Sequence, residues 1–330
     1  MNDSICNIAI IGAGQLGSRH LQGLAKISIP CNLEVVDTFA DSLKVAEERF
    51  LQIPKNDKVE SIKFMDSIED MNETQDLVII ATTADTRLDV VQQLLKSCKV
   101  KNIILEKVVF QDKDDFIAAE ELFNKENVSV WVNCVRRVTP DYQIIKSYFE
   151  NNLIKSFTVY GGDWWGMGSN SLHFIDCIAY LSECAEYEID GSELSDAVQA
   201  SKRPGFMEFS GTLSGRFADG VDFRLTAVPN SEIPVVIEIK SDKFDISVCE
   251  TGKQYFVKRN DDEVEQEKFP FAIPFQSDLS NITVTDILMK GECELPSFKE
   301  SFKLHLPLLK VFNSHLEKVK GQVFTKCPIT

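Results

Sequence analysis

Two kinds of hydrophobic pattern divide the chain. Up to residue 134, short runs rich in apolar and β-branched residues, at 7–11, 33–36, 61–64, 76–83, 102–105 and 128–132, alternate with segments whose apolar positions recur every three or four residues. The runs read as strands and the periodic segments, at 16–26, 38–50, 84–98 and 112–125, as helices. Inward faces are Leu43, Ala46 and Phe50 in the second helix, Leu88, Val91, Leu95 and Cys98 in the third, and Phe116, Ala119 and Phe123 in the fourth. Strands alternating with helices predict a parallel sheet covered on both sides. From Arg136 the pattern changes. A helix at 139–151, a strand at 155–161, a glycine-rich loop at 161–168 and a helix at 171–181 lead into alternating β-rich runs at 207–213, 221–227, 235–241, 244–248 and 254–257. Those runs predict a mainly antiparallel sheet, and helices at 278–289 and 298–319 close the chain.

The first strand enters the turn Gly12-Ala13-Gly14-Gln15-Leu16-Gly17, and the second ends at Asp37, twenty residues past Gly17. Gly12 permits a tight turn, Gly14 lets backbone N–H groups approach a pyrophosphate, and Gly17 lets the helix pack closely on the strand. The diphosphate then sits at the positive end of the helix. An acid at Asp37 accepts hydrogen bonds from an adenosine ribose, and Thr38, Phe39 and Ala40 supply no arginine for a 2′-phosphate, so NAD is expected over NADP. Ligands of an open parallel sheet bind beyond the carboxyl ends of its strands, which adds Ala81, Thr82 and Thr83 to the cofactor contacts. The fold class is therefore α/β. A Rossmann dinucleotide-binding domain at 1–134 precedes an α+β domain at 135–330 with a large, mainly antiparallel open sheet.

Length and charge narrow the partners. At 330 residues two domains are expected. A net charge of −16 argues against nucleic acid or an anionic membrane surface and favours a small-molecule substrate. Nine cysteines without a Cys-x-x-Cys pair leave no structural zinc site, so no metal is expected. The odd cysteine count and a nucleotide motif so close to Met1 point to a reducing cytoplasm. No apolar run is long enough to span a bilayer. The run Val235-Val236-Ile237-Glu238-Ile239 carries apolar residues on both strand faces, so a homodimer or homotetramer built on that sheet is expected.

With the glycine-rich turn, Ile80-Ala81-Thr82, Glu106-Lys107, Arg137-Val138-Thr139-Pro140 and His173-Phe174-Ile175-Asp176 in this order, the chain resembles the glucose–fructose oxidoreductase / inositol dehydrogenase / MocA family over nearly its whole length. The resemblance implies that Glu106 and Lys107 lie beside the nicotinamide, although Val108 replaces the family's proline. It makes Lys107 and His173 the catalytic pair. A lysine there orients the substrate hydroxyl and stabilises a developing alkoxide, and an imidazole exchanges the hydroxyl proton. Many members carry an aspartate one turn before the histidine; here Ser169 stands there, followed by Asn170. Arg136 and Arg137 could grip a substrate carboxylate or phosphate, or equally form an interdomain salt bridge. Trp164 and Trp165 could present an apolar face to a sugar ring, or pack as a pair under the loop. Asn170 and Asp176 join the substrate candidates, with Asn133 and Tyr142 behind them, whereas His20, His305 and His315 are given no catalytic role.

The function expected is NAD-dependent hydride transfer with a secondary alcohol or ketone of a sugar, sugar acid or nucleotide-linked sugar, such as those built into surface polysaccharides. Two alternatives share the fold: an NAD-binding sensor without turnover, and an enzyme that uses bound NAD internally for elimination or epimerisation.

Overall fold

Each of the six apolar runs before residue 134 forms a strand. The computed structural model describes residues 5–260 and 266–330. Two compact units emerge, Met1–Val138 with Pro274–Phe298, and Thr139–Ile273 with Lys299–Thr330.

The first unit runs β1 (Cys6–Ile11), α1 (Gly17–Leu24), β2 (Cys31–Val36), α2 (Ala40–Leu51), β3 (Val59–Met65), β4 (Thr74–Ile80), α3 (Arg87–Ser97), β5 (Lys99–Leu105), α4 (Lys113–Glu126) and β6 (Ser129–Val132). All strand pairs are parallel, in the order β3-β2-β1-β4-β5-β6, so the direction of winding switches between β1 and β4. Ile8, Ile10, Leu33, Val35, Leu77 and Ile79 from the central strands pack with Leu21 and Leu24 of α1 in one core. The ladder continues past the strand ends: Gly12 N donates to Val36 O, Ala81 N to Ile11 O, Glu106 N to Ile80 O and Asn133 N to Leu105 O, at 2.8–3.1 Å. That keeps the carboxyl rim of the sheet in register. The run 76–83 is strand only to Ile80; its last three residues turn along this rim, and α3 starts at Arg87 rather than at 84.

The helix expected at 278–289 is α7 (Gln276–Lys290), and it belongs with the first unit although the sequence pattern groups it with the second domain. Its Val284 and Ile287, with Leu295 beyond, complete the core around Leu21 and Leu24. Close approach makes this possible, since a Cβ on Gly23 of α1 would lie 2.8 Å from the Ser280 side chain.

The second unit holds α5 (Pro140–Ser147), β7 (Ile154–Gly162), α6 (Met167–Ser182), β8 (Tyr187–Leu194), β9 (Gln199–Ala200), β10 (Met207–Glu208), β11 (Gly211–Phe217), β12 (Asp222–Val228), β13 (Val236–Ser241), β14 (Phe244–Cys249), β15 (Gln254–Arg259), β16 (Glu267–Pro270) and all but the first residue of α8 (Phe298–Lys320). Eight strands form a sheet in the order β16-β15-β14-β13-β7-β12-β11-β8, antiparallel except for the β7–β12 pair. The run 207–213 breaks in two because Gly211 adopts φ +99° and sends the chain from the β9–β10 hairpin into β11. The edge strand β8 escapes the hydrophobic pattern because Glu188, Asp190 and Glu193 interrupt it, as charges on sheet edges commonly do. In β13, Ile237 and Ile239 are buried while Glu238 and Lys240 face outward beside a half-buried Val236, so the outer face is more polar than the run suggests. Among the described residues no helix is long and apolar enough to cross a membrane.

Candidate active site

Four neighbouring strands of the first unit deliver the cofactor candidates to one rim. Gly12 leaves β1 at φ +93°, and a Cβ there would stand 2.9 Å from Thr82 N. A Cβ on Gly17 would lie 1.7 Å from Gly12 O, so only glycine lets α1 begin against the turn. Gly14 is different. Nothing lies within 4 Å of its Cβ position, which leaves the loop open on that side. Asp37, just past β2, is oriented by the loop itself: its two carboxylate oxygens accept from Ala13 N at 2.7 Å and Phe39 N at 2.9 Å. Arg49 of α2 braces the loop from outside, donating to the side chain of Gln15 at 2.7 Å and its carbonyl at 3.2 Å. Leu16 precedes α1 without a side-chain cap, and the first turn of α1 carries no acid, so the positive helix end is left for an anion. Thr82 Oγ1, on the same rim, is buried and has no partner among the described residues. Thr83 begins the turn into α3, its carbonyl accepting from Thr86 N at 3.3 Å. An open approach at Gly14, an oriented acid and a buried hydroxyl still to be paired fit a dinucleotide.

Glu106 and Lys107 follow β5 on this rim, and the Lys107–Val108 peptide is cis. One residue the sequence pattern does not flag holds this turn. Arg87, fully buried at the start of α3, donates to the carbonyls of Val108, of Val109 at 2.7 Å, and of Thr82. It thus fastens the end of the β4 rim to the turn carrying Lys107. A charged residue opening a helix ordinarily reads as solvated surface, which hides it. Glu106 is buried; burial pushes its pKa up, but the hydrogen bond and charge of His20, the charge of Lys107 and the bond from Asn133 outweigh this and hold it below the usual carboxylate range. Arg136 and Arg137 lie in the 3-10 turn Val135–Val138 after β6, and both are buried.

In the second unit, α6 starts at Met167, four residues ahead of the expected 171, which puts Ser169 and Asn170 in its first turn. No side chain of its own caps this helix. Glu208 of β10 does so instead, accepting from Gly168 N at 2.6 Å and Ser169 N at 3.3 Å on one oxygen and from Ser169 Oγ at 2.5 Å on the other. A carboxylate therefore stands at the turn before His173 even though Ser169 occupies the aspartate position. His173, four residues on, shares that helix face and is partly exposed. Asp176 is fully buried, and Asn170 Nδ2 is turned to Trp165 O at 2.6 Å. The tryptophans part ways. Trp165 is buried edge-on against Phe174 with its N–H on Thr226 O, whereas Trp164 keeps 45% of its surface exposed. Tyr142 is an internal tie, its hydroxyl donating to Glu250 at 2.6 Å. His305 and His315 bond backbone carbonyls of Ser301 and Ser195. The first unit thus assembles residues 12–17, Asp37, residues 81–83, Glu106 and Lys107, while His173, Asn170, Asp176 and both tryptophans stand on the second.

Residues 6–134 match the family model described as "Oxidoreductase family, NAD-binding Rossmann fold". No curated protein matches the sequence. Solved structures of similar fold include the 3-ketoreductase KijD10 from Actinomadura kijaniata in complex with NADP, at 14% identity, TM-score 0.68, covering 93% of this chain and 96% of that one. Scyllo-inositol dehydrogenase from Lactobacillus casei with bound NAD(H) and scyllo-inositol is 17% identical, TM-score 0.68, covering 96% and 98%. The transcriptional regulator Gal80p from Kluyveromyces lactis is 15% identical, TM-score 0.70, covering 100% and 96%.

Proposed function

We propose, for a chain whose residues 6–134 match the NAD-binding Rossmann model of the glucose–fructose oxidoreductase / inositol dehydrogenase / MocA oxidoreductase family, an enzyme that moves a hydride between NAD and a secondary alcohol or ketone of a sugar, sugar acid or nucleotide-linked sugar. The observation that carries this is the rim itself, where an oriented Asp37, an open Gly14 and Lys107 follow the carboxyl ends of β2, β1 and β5 on one edge of the sheet. Bound nicotinamide supplies the hydride acceptor or donor. Lys107 Nζ orients the substrate hydroxyl and lowers the cost of the alkoxide that forms as the hydride departs. His173 takes the hydroxyl proton in oxidation and returns it in reduction. Arg136, Arg137 and the exposed face of Trp164 are the candidates for holding the rest of the substrate.

NAD is favoured because a 2′-phosphate would meet the Asp37 carboxylate, while Arg49 is engaged by Gln15. Isothermal titration with both cofactors, followed by a screen of polyols and nucleotide sugars for NADH formation, tests the reading. NAD binds more tightly than NADP, and Lys107→Ala keeps NAD affinity while turnover falls about 10²–10³-fold. Tight NAD binding with no turnover of any such compound would move the chain to the sensor reading, a class that the fold also serves.

A further inference from the structure

Beneath the turn that carries Lys107 lies a closed ring of five side chains that the proposed chemistry does not use. His20, one turn into α1, sets Nε2 2.8 Å from Glu106 Oε1 and Nδ1 2.9 Å from Ser280 Oγ. Asn133, just after β6, donates from Nδ2 to the same Glu106 oxygen at 2.5 Å and to Gln276 Oε1 at 2.8 Å. Gln276 Nε2 donates to Ser280 Oγ at 3.0 Å and closes the ring. His20, Glu106, Asn133 and Ser280 are each no more than 3% exposed.

Stability alone does not account for such a ring. A buried polar cluster commonly contributes no more than apolar side chains of the same volume would, because its groups lose their hydration. What the ring fixes is direction. Glu106 immediately precedes Lys107, so anchoring its side chain on two donors from different elements fixes the backbone from which Lys107 departs. His20 also shares the short helix α1 with Gly17, whose amino end is the anion-ready one.

We propose that His20, acting through Glu106, is a positioning residue for Lys107 and ties the placement of that lysine to the pyrophosphate-binding helix. This rests on the reading of Lys107 as the group that meets substrate.

The test uses the full-length protein with NAD and the variants His20→Leu, His20→Gln and Glu106→Gln. His20→Leu lowers kcat about tenfold or more while KM and NAD affinity stay within about threefold, as expected when a reacting group is misplaced rather than removed. His20→Gln keeps a donor toward Glu106 and recovers most of that loss. A second readout needs no substrate: the rate at which trace acetic anhydride acetylates Lys107, read by mass spectrometry against exposed Lys101 at the far end of β5. It changes severalfold in His20→Leu and in Glu106→Gln, and little in His20→Gln. Should His20→Leu fold poorly, Glu106→Gln carries the same comparison. Lower melting temperatures with unchanged kcat per folded molecule and unchanged Lys107 labelling would overturn the proposal and leave the ring as scaffolding. Altered Lys107 labelling in an enzyme that turns over no sugar would sink the functional reading and leave the positioning role standing.

Discussion

The rim of the parallel sheet and the first turn of α6 both carry candidate site residues, and they are built in opposite ways. On the rim, backbone does the work: residues 12–17 and one acid create an anion-ready helix end, and strand order brings the rest alongside. At α6 the work falls to side chains, with Ser169 held by Glu208 from a two-residue strand 39 positions later. A backbone cradle is sensitive only where glycine is required. A side-chain pair can lose a partner at one position and regain its chemistry from another element, which is why an absent aspartate at Ser169 is not an absent carboxylate.

The glycines allow the sharpest attack on this contrast. Gly17→Ala drives a methyl to within 1.7 Å of Gly12 O, and the backbone must give way at a cost of about 2–3 kcal/mol. Calorimetry should show a lower melting temperature together with lost NAD affinity. Gly14→Ala meets open space, so the apo protein should melt as before while NAD binds about tenfold more weakly, the methyl standing where the pyrophosphate approaches. Equal damage to stability from both changes would contradict the division of labour among the three glycines.

Glu106 gives the next largest effect. Its pKa lies below the ordinary carboxylate value of about 4.3, so the folded protein binds fewer protons there than the unfolded chain does. The resulting stabilisation is complete above that value and is lost as pH falls through the folded pKa. Urea melts should find Glu106→Gln about 2 kcal/mol less stable at pH 7, with the gap to wild type narrowing below pH 4. A gap independent of pH would mean that the carboxylate charge contributes nothing.

Smallest is the change expected at α6. Glu208→Gln removes a negative charge from the positive end of a helix and should cost about 0.5–1 kcal/mol, with NAD affinity unchanged and turnover down about 2–5-fold. Adding Ser169→Asp returns a carboxylate to that turn and should restore turnover. Failure of the double variant to recover would show that Glu208 caps the helix and does nothing for His173.

Much of the rim is legible in the sequence because its parts are local: a turn of fixed spacing, an acid at the next strand's end, apolar runs long enough to name their strands. Lys107 and His173 are candidates through the family resemblance alone. Arg87 is not legible, since what marks it is burial against three carbonyls rather than its neighbours in the chain. His20 and Glu106 lie 86 residues apart and read separately as a helix histidine without a catalytic role and a cofactor contact, with nothing in the sequence to pair them. Glu208 sits in a hairpin too short to carry any periodicity, and α7 is amphipathic in a way that does not say which core it completes.

That last helix bears on how the protein is made. The chain passes from one unit to the other after Val138, returns after Ile273 and leaves again after Phe298. During synthesis the core around Leu21 and Leu24 must wait for Val284, Ile287 and Leu295, which emerge from the ribosome only after every strand of the eight-stranded sheet. A fragment ending at Val138 would present that apolar surface bare, an invitation to chaperones or to aggregation. The two units are therefore not cassettes that recombination could exchange at a single junction; the first is finished by residues encoded between the two stretches of the second.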